Sequence, residues 1–129
     1  MVNAKSLLER ARHSDEGEAY ASVARGPGFR IGLGARTVPA RKPAVFIEVV
    51  LDPFPERPSV SPQRLADHSE HLAQLSARGY SIVCDDDGTI TCERVVSLVA
   101  VDREVDAVKR LLGSARAGRR PARSAAIRT

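Results

Sequence analysis

The segment Asp67-His68-Ser69-Glu70-His71 is where imidazoles and carboxylates interleave in this chain. On a helix, two histidines three residues apart could serve zinc. His68, however, falls on the apolar stripe of Leu65, Leu72 and Leu75, whereas His71 points elsewhere. There is no HExxH pattern, and His13 is the one other histidine. The pattern predicts no metal site. Asp85-Asp86-Asp87 offers carboxylates to a divalent cation, but the further acids and closing glutamate of a calcium loop are missing. Followed by Gly88, the triplet reads as turn chemistry. Neither Cys84 nor Cys92 has a histidine or a cationic helix terminus near it in sequence. The glycines from Gly26 to Gly34 match no phosphate or dinucleotide fingerprint, which needs a strand before them and a helix after. No catalytic residue, cofactor or metal is predicted, and the chain does not read as an enzyme.

The chemistry that does recur is cationic. Between Ala19 and Ile47 there is no acid, and Arg25, Arg30, Arg36, Arg41 and Lys42 supply five positive charges. The last sixteen residues, 114–129, hold five arginines, among them Arg116, Arg119, Arg120 and Arg123, and no acid. Of the 20 Lys and Arg, 15 remain in the first 113 residues against 16 acids, a net of −1 there against +4 for the chain. A polycation on a near-neutral body attracts polyanions such as nucleic acid, acidic proteins or anionic membrane.

The elements that position these residues follow from periodicity. The 129 residues suit one domain, 1–113, followed by a flexible Arg-rich tail, 114–129. Only five aromatics and no Trp are present, so the core is aliphatic. No signal-like apolar run opens the chain, and its apolar stretches fall far short of the ~20 residues a spanning helix needs. A cytosolic protein with buried thiols rather than a disulfide is expected.

Asn3 to His13 reads as a short helix burying Leu7, Leu8 and Ala11. Ser14, followed by Asp15, Glu16 and Glu18, reads as the cap of a second helix running to Arg25, with Tyr20 and Val23 inward and Gly26-Pro27-Gly28 as its stop. From Phe29 the period is two, with Arg30, Gly32, Gly34 and Arg36 on the outer face. Val45, Ile47, Val49 and Leu51 face one way and Ala44, Phe46, Glu48 and Val50 the other, the pattern of a central strand. Three prolines in Pro53 to Pro58 exclude regular structure there. Ser61 and Pro62 open a helix that Gly79 closes. Tyr80–Cys84 and Thr89–Val101 form a hairpin through Asp86-Asp87-Gly88, Gly88 left-handed. That register sets Cys84 opposite Ile90 and Ile82 opposite Cys92, with both thiols in the core. Asp102 caps a last helix ending at Gly113. The predicted order is α-α-β-β-α-β-β-α, a two-layer α+β domain on a four-stranded antiparallel sheet.

The outer face then alternates arginine with glycine, and glycine lets a phosphate backbone approach closely. Phe46 on the adjacent strand, and Phe54 beside Arg57 in the Pro-rich loop, are placed to stack bases. The competing reading has glycine marking a bulge or a covered face, with Phe46 packed under the first helices or in a dimer.

Gly28-Phe29-Arg30-Ile31-Gly32, the run Phe46 to Pro55, Arg78-Gly79-Tyr80 and the Asp-Gly hairpin carry a resemblance. Over residues 20–113 the chain resembles the ThermoDBP-related family of single-stranded DNA-binding proteins from thermophilic archaea. The resemblance implies an α+β domain whose apolar cleft, rimmed by Arg30, Arg36, Arg41, Lys42, Phe46 and Phe54, holds single strands with little sequence preference. Members of that family continue into a dimerising leucine zipper; here Gly113, Gly118 and Pro121 forbid a long coiled coil. The element order is also similar to that of secretion chaperones of the type III system, which bind protein segments and often dimerise. Two functions thus compete: a non-catalytic single-stranded DNA or RNA binder, and a protein-interaction module or assembly subunit whose exposed apolar sheet face at Phe46 and Val50 is the interface, in either case with a possible homodimer and without a membrane role.

Overall fold

The computed structural model describes residues 3–37, 43–53 and 62–118, apart from the side chains of 62–65, 67 and 114–118. The predicted roles of Arg41, Lys42, Phe54, Arg57, Arg119, Arg120 and Arg123, and of the Ser61 cap, fall outside these residues, as does the Arg116 side chain.

The fold is α+β, and among the described residues it has one five-stranded antiparallel sheet and three α-helices. Helix α1 (Ala4–Arg12) is capped by Asn3, whose side-chain oxygen accepts from the amides of Lys5 (2.8 Å) and Ser6 (3.2 Å). It buries Leu7, Leu8 and Ala11. The second helix expected from Ser14 to Arg25 is instead strand β1 (Glu18–Gly26). Gly17 has a φ of 73°, which ends the turn that the Ser14 hydroxyl starts by accepting from the Glu16 amide. Beyond it, Ala19 points to the core and Tyr20 to solvent, a period of two that overrides the acids of an apparent first turn.

Gly26-Pro27-Gly28 is therefore a hairpin turn rather than a helix stop. Pro27 presets φ, Gly28 sits at a φ of 81°, and Gly26 pairs with Phe29, the residue pattern of a type II turn. Strand β2 (Phe29–Arg36) pairs with β3 (Ala44–Leu51) in unbroken register from Phe29–Leu51 to Arg36–Ala44. After helix α2 (Pro62–Ala77), β4 (Ser81–Cys84) and β5 (Ile90–Val96) complete the sheet in the order β1-β2-β3-β5-β4. Strand β3 is central, as its two-sided apolar pattern requires.

The β4–β5 register is the expected one: Ile82 pairs with Cys92, Cys84 with Ile90, and Gly88 has a φ of 87°. Cys92 is buried, and burial pushes its thiol up to about 11. Cys84, expected in the core, is exposed, because β4 is a four-residue edge strand with every residue open to solvent. Strand β5 stops at Val96, short of the expected Val101. A 3-10 turn, Leu98–Ala100, then leads into helix α3 (Val101–Gly118).

All three helices contribute to one core. Leu7, Leu8 and Ala11 of α1, Leu75 of α2, and Val101, Val105, Val108 and Leu112 of α3 cluster with Ile31, Leu33, Ile47, Val49 and Cys92 from one sheet face. The α2–β4 junction is a Schellman motif. Gly79 has a φ of 93°, its amide bonds Ser76 O (3.0 Å), and the Tyr80 amide bonds Leu75 O (3.1 Å). That motif delivers Arg78 and Tyr80 to Glu104. Arg78 clamps Glu104 with two bonds (2.7 and 3.1 Å), Arg94 adds a contact at 3.2 Å, and the Tyr80 hydroxyl donates at 3.1 Å. Glu104 is buried on the α3 stripe, and the Arg78 hydrogen bonds hold its carboxyl below the usual range. Burial first, then the Glu104 charge, pushes the Tyr80 phenol well above its ordinary value.

Two outcomes are expected. Glu104→Gln leaves two arginines without a counter-charge. Because Arg78 and Arg94 remain 39% and 38% exposed, the cost is about 2 kcal/mol rather than the about 3–5 kcal/mol of a fully buried pair. The depressed carboxyl contributes stability above its unfolded-state value near 4.5 and loses it as pH falls through the lower folded value. Urea melts at pH 7 and below pH 4 should therefore show the gap between parent and variant narrowing in acid. The helix also runs through Gly113, its expected end, to Gly118, and a Cβ at Gly113 meets nothing within 4 Å. Gly113→Ala should raise stability by about 0.5–1 kcal/mol in the same melts.

Candidate functional site: the uncovered sheet face

With the helices on one side, the other sheet face has no covering element among the described residues. The registers order its side chains into rows. Arg25, Arg30, Val50, Thr91 and Val83 lie side by side, then Ser22, Gly32, Glu48, Glu93 and Ser81. Tyr20, Gly34, Phe46 and Val95 form the third row, and Glu18, Arg36 and Ala44 the fourth. A register shift between Ser22 and Ala24, a β-bulge, brings Arg25 directly opposite Arg30.

Phe46 lies on this outer face, as expected, yet it is only 1% exposed. The ring lies over Gly34, where a Cβ would overlap it. Tyr20 makes a T-shaped contact with the ring, centroids 5.9 Å apart at 74°, and the Arg36 guanidinium sits 4.5 Å above the ring. In this arrangement Phe46 presents no face to a base. Val50 is half-buried, so the exposed apolar patch expected at Phe46 and Val50 is not formed by those two side chains.

Arg36 is also committed. Its Nη2 meets Glu93 at 3.2 Å and its Nε reaches Glu18 at 3.4 Å. The Tyr20 hydroxyl donates to the other Glu18 oxygen at 3.0 Å. Partial burial and then Glu18 raise the Tyr20 phenol, which keeps it a neutral donor. Three charges of this face thus satisfy one another across Phe46. Arg25, Arg30 and Glu48 are different: each lacks an ion-pair partner among the described residues. Arg25 and Arg30 are exposed and adjacent, an arrangement that costs free energy because like charges stand directly opposite.

Beside them lies a depression of about 220 Å³, floored at Gly32 and walled by Tyr20, Ser22, Arg30, Glu48 and Val50. Tyr20 is 51% exposed there. Toward β4 two valines stand out among Thr91, Glu93 and Ser81, Val95 60% and Val83 58% exposed. Of the residues expected to bind, the structure brings Arg25 and Arg30 together and places Arg36 and Phe46 in the covered network. Tyr20 and Ser22 were missed because their segment read as a helix; the alternation of small core-facing residues with Tyr20 was the signal. Among the described residues no three His, Cys, Asp or Glu side chains converge on a metal geometry, and no helix is long and apolar enough to cross a membrane.

The architecture defines a two-layer α+β module with one sheet face open. No known protein family, curated protein or solved structure matches the chain.

The covered cluster makes a direct prediction. Gly34→Ala forces the Phe46 ring off the sheet and should cost about 1–3 kcal/mol. In a chain with no tryptophan, the loss should be accompanied by a change in near-ultraviolet circular dichroism from Tyr20 and Phe46.

Proposed function

We propose that this protein is a non-catalytic binder of single-stranded nucleic acid, using the β1–β3 half of its open sheet face. The observation carrying this reading is the Arg25–Arg30 pair beside a glycine-floored depression walled by an exposed tyrosine. Two unpaired arginines held side by side repel each other, and an incoming phosphate relieves that repulsion. A base entering the depression gains the face of Tyr20, a contact worth about 1–3 kcal/mol. Stacking of this kind needs an unpaired base, which a duplex does not present. Arg41, Lys42, Arg57, Arg116, Arg119, Arg120 and Arg123 add phosphate contacts without sequence information in this scheme, and Phe54 a second stacking surface. Arg36 has a different part: it holds the face together by pairing with both Glu18 and Glu93. Phe46 supports Tyr20 from below.

A second reading has its own observation. Val83 and Val95 each expose an apolar side chain on the β4–β5 half, on either side of the Glu93–Ser81 row, which fits a protein-interaction module or a homodimer. It predicts a stable dimer in light scattering that Val95→Asp dissociates; a monomer at all concentrations counts against it.

Fluorescence anisotropy with labelled 20-mers of single-stranded DNA, single-stranded RNA and duplex, at several salt concentrations, tests the first reading. Single strands should bind more tightly than duplex. Replacing Arg25 and Arg30 together by Ala should flatten the salt dependence by about 1.4 in log–log slope, about 0.7 per lost phosphate contact. Tyr20→Ala should weaken binding at every salt concentration alike. Equal affinity for duplex, or no change in either variant, removes the reading.

A further inference from the structure

We propose, resting on the nucleic-acid reading above, that Glu48 gives the depression a preference for guanine over thymine or uracil, through a carboxylate that reads the base edge. A carboxylate on a phosphate-binding face weakens binding unless it meets a donor. Glu48 stands at such a place. It pairs in register with Gly32, which has no side chain, so nothing on β2 stands between Glu48 and the depression it lines. Its neighbour on the other side, Glu93, is occupied by Arg36 at 3.2 Å, while Glu48 has no hydrogen-bond or ion-pair partner among the described residues. Among the described residues, the outer-face carboxylate that has no ion-pair partner therefore borders the depression.

The dimensions suit a base. Tyr20 is on β1 and Glu48 on β3, two strands apart, a spacing of about 9–10 Å from the pitch of a sheet. Glycines at positions 32 and 34 of the intervening strand leave that width clear of Cβ atoms, although the ring of Phe46 fills the space above Gly34. A base held against the Tyr20 ring extends its edge across Gly32 toward Glu48, and its phosphate lies toward Arg30 and Arg25 in the next row. An ionised carboxylate is acceptor-only. Guanine offers two adjacent donors on its Watson–Crick edge, N1–H and the 2-amino group, and so forms a charge-assisted pair. Thymine and uracil offer the same carboxylate one donor, N3–H, flanked by two carbonyl oxygens that it repels, so they bind more weakly. Cytosine and adenine, with one amine each, fall between.

The test uses the full chain and labelled thymine 10-mers carrying one central guanine, one central inosine or none. Inosine keeps the purine ring and N1–H but lacks the 2-amino group, so stacking is held constant. The guanine oligomer should bind about tenfold more tightly than the inosine one, and Glu48→Gln should bring that ratio below about twofold. If all three oligomers bind with equal affinity, base reading by Glu48 is wrong while the binder stands. If none binds, the nucleic-acid reading itself falls and this inference with it. A ratio that survives in Glu48→Gln assigns the discrimination to another residue and overturns the proposal. Should that variant not fold, the guanine-to-inosine ratio of the parent protein still decides, since a value near one is incompatible with the carboxylate contact.

Discussion

A central strand that is apolar on both sides needs cover on both sides, and here every helix lies on one. Phe46 projects from the face without helices, and its burial organises that face. The cover comes from the sheet itself: Gly34 gives the ring a seat, Tyr20 closes one edge, and Arg36 closes the top. Burying a phenyl ring is worth about 1.5–3 kcal/mol, and the guanidinium contact adds about 0.5–1 kcal/mol at an exposed site. Once Arg36 is drawn over the ring, Glu18 and Glu93 follow it. The outer face is thus divided by a packing requirement into a satisfied centre and unsatisfied margins.

Function, on this view, resides in the margins. Arginines are informative only when they are not already spoken for. Counting charges on the face gives three of each sign, which argues for no particular partner. Setting aside Arg36 and the two glutamates it pairs with leaves Arg30 and Glu48 lining the Gly32 depression, with Arg25 opposite Arg30. The same division explains why the β5–β4 side, with Val83 and Val95 outward, has a different character and supports the competing protein-interaction reading.

A second buried charge holds the opposite layer. Glu104 draws together the end of α2 through Arg78, the start of β4 through Tyr80, β5 through Arg94, and its own helix. With its charge shared between two arginines and a phenol, the carboxylate is satisfied at a position that otherwise belongs to the apolar stripe. Sequence reading passed over it, although a glutamate between Val101 and Val108 on a helix stripe is itself a sign that a cationic partner waits in the core.

Local signals determined what local physics controls. Alternation named β2 and β3 and placed Arg30, Gly32, Gly34 and Arg36 on one face; the Asp-Gly turn predicted the β4–β5 register residue by residue; Asn3, Gly79 and Gly88 marked their turns. The signal was ambiguous at Ser14–Glu18, where capping residues and acids imitate a helix start. There the pairing of β1 with β2 decided, because a hairpin through Pro27-Gly28 buries Ala19 and supplies backbone partners along eight residues of β2. What only the tertiary structure decided was which charges are free. Arg36 finds Glu18 and Glu93 at separations of 18 and 57 residues, and no spacing rule connects them. Whether an outward aromatic is exposed likewise depends on what neighbouring strands place above it. Phe46 and Tyr20 exchange their expected roles for that reason: periodicity gives a side chain its direction, while its solvent exposure is set by residues far away in the chain.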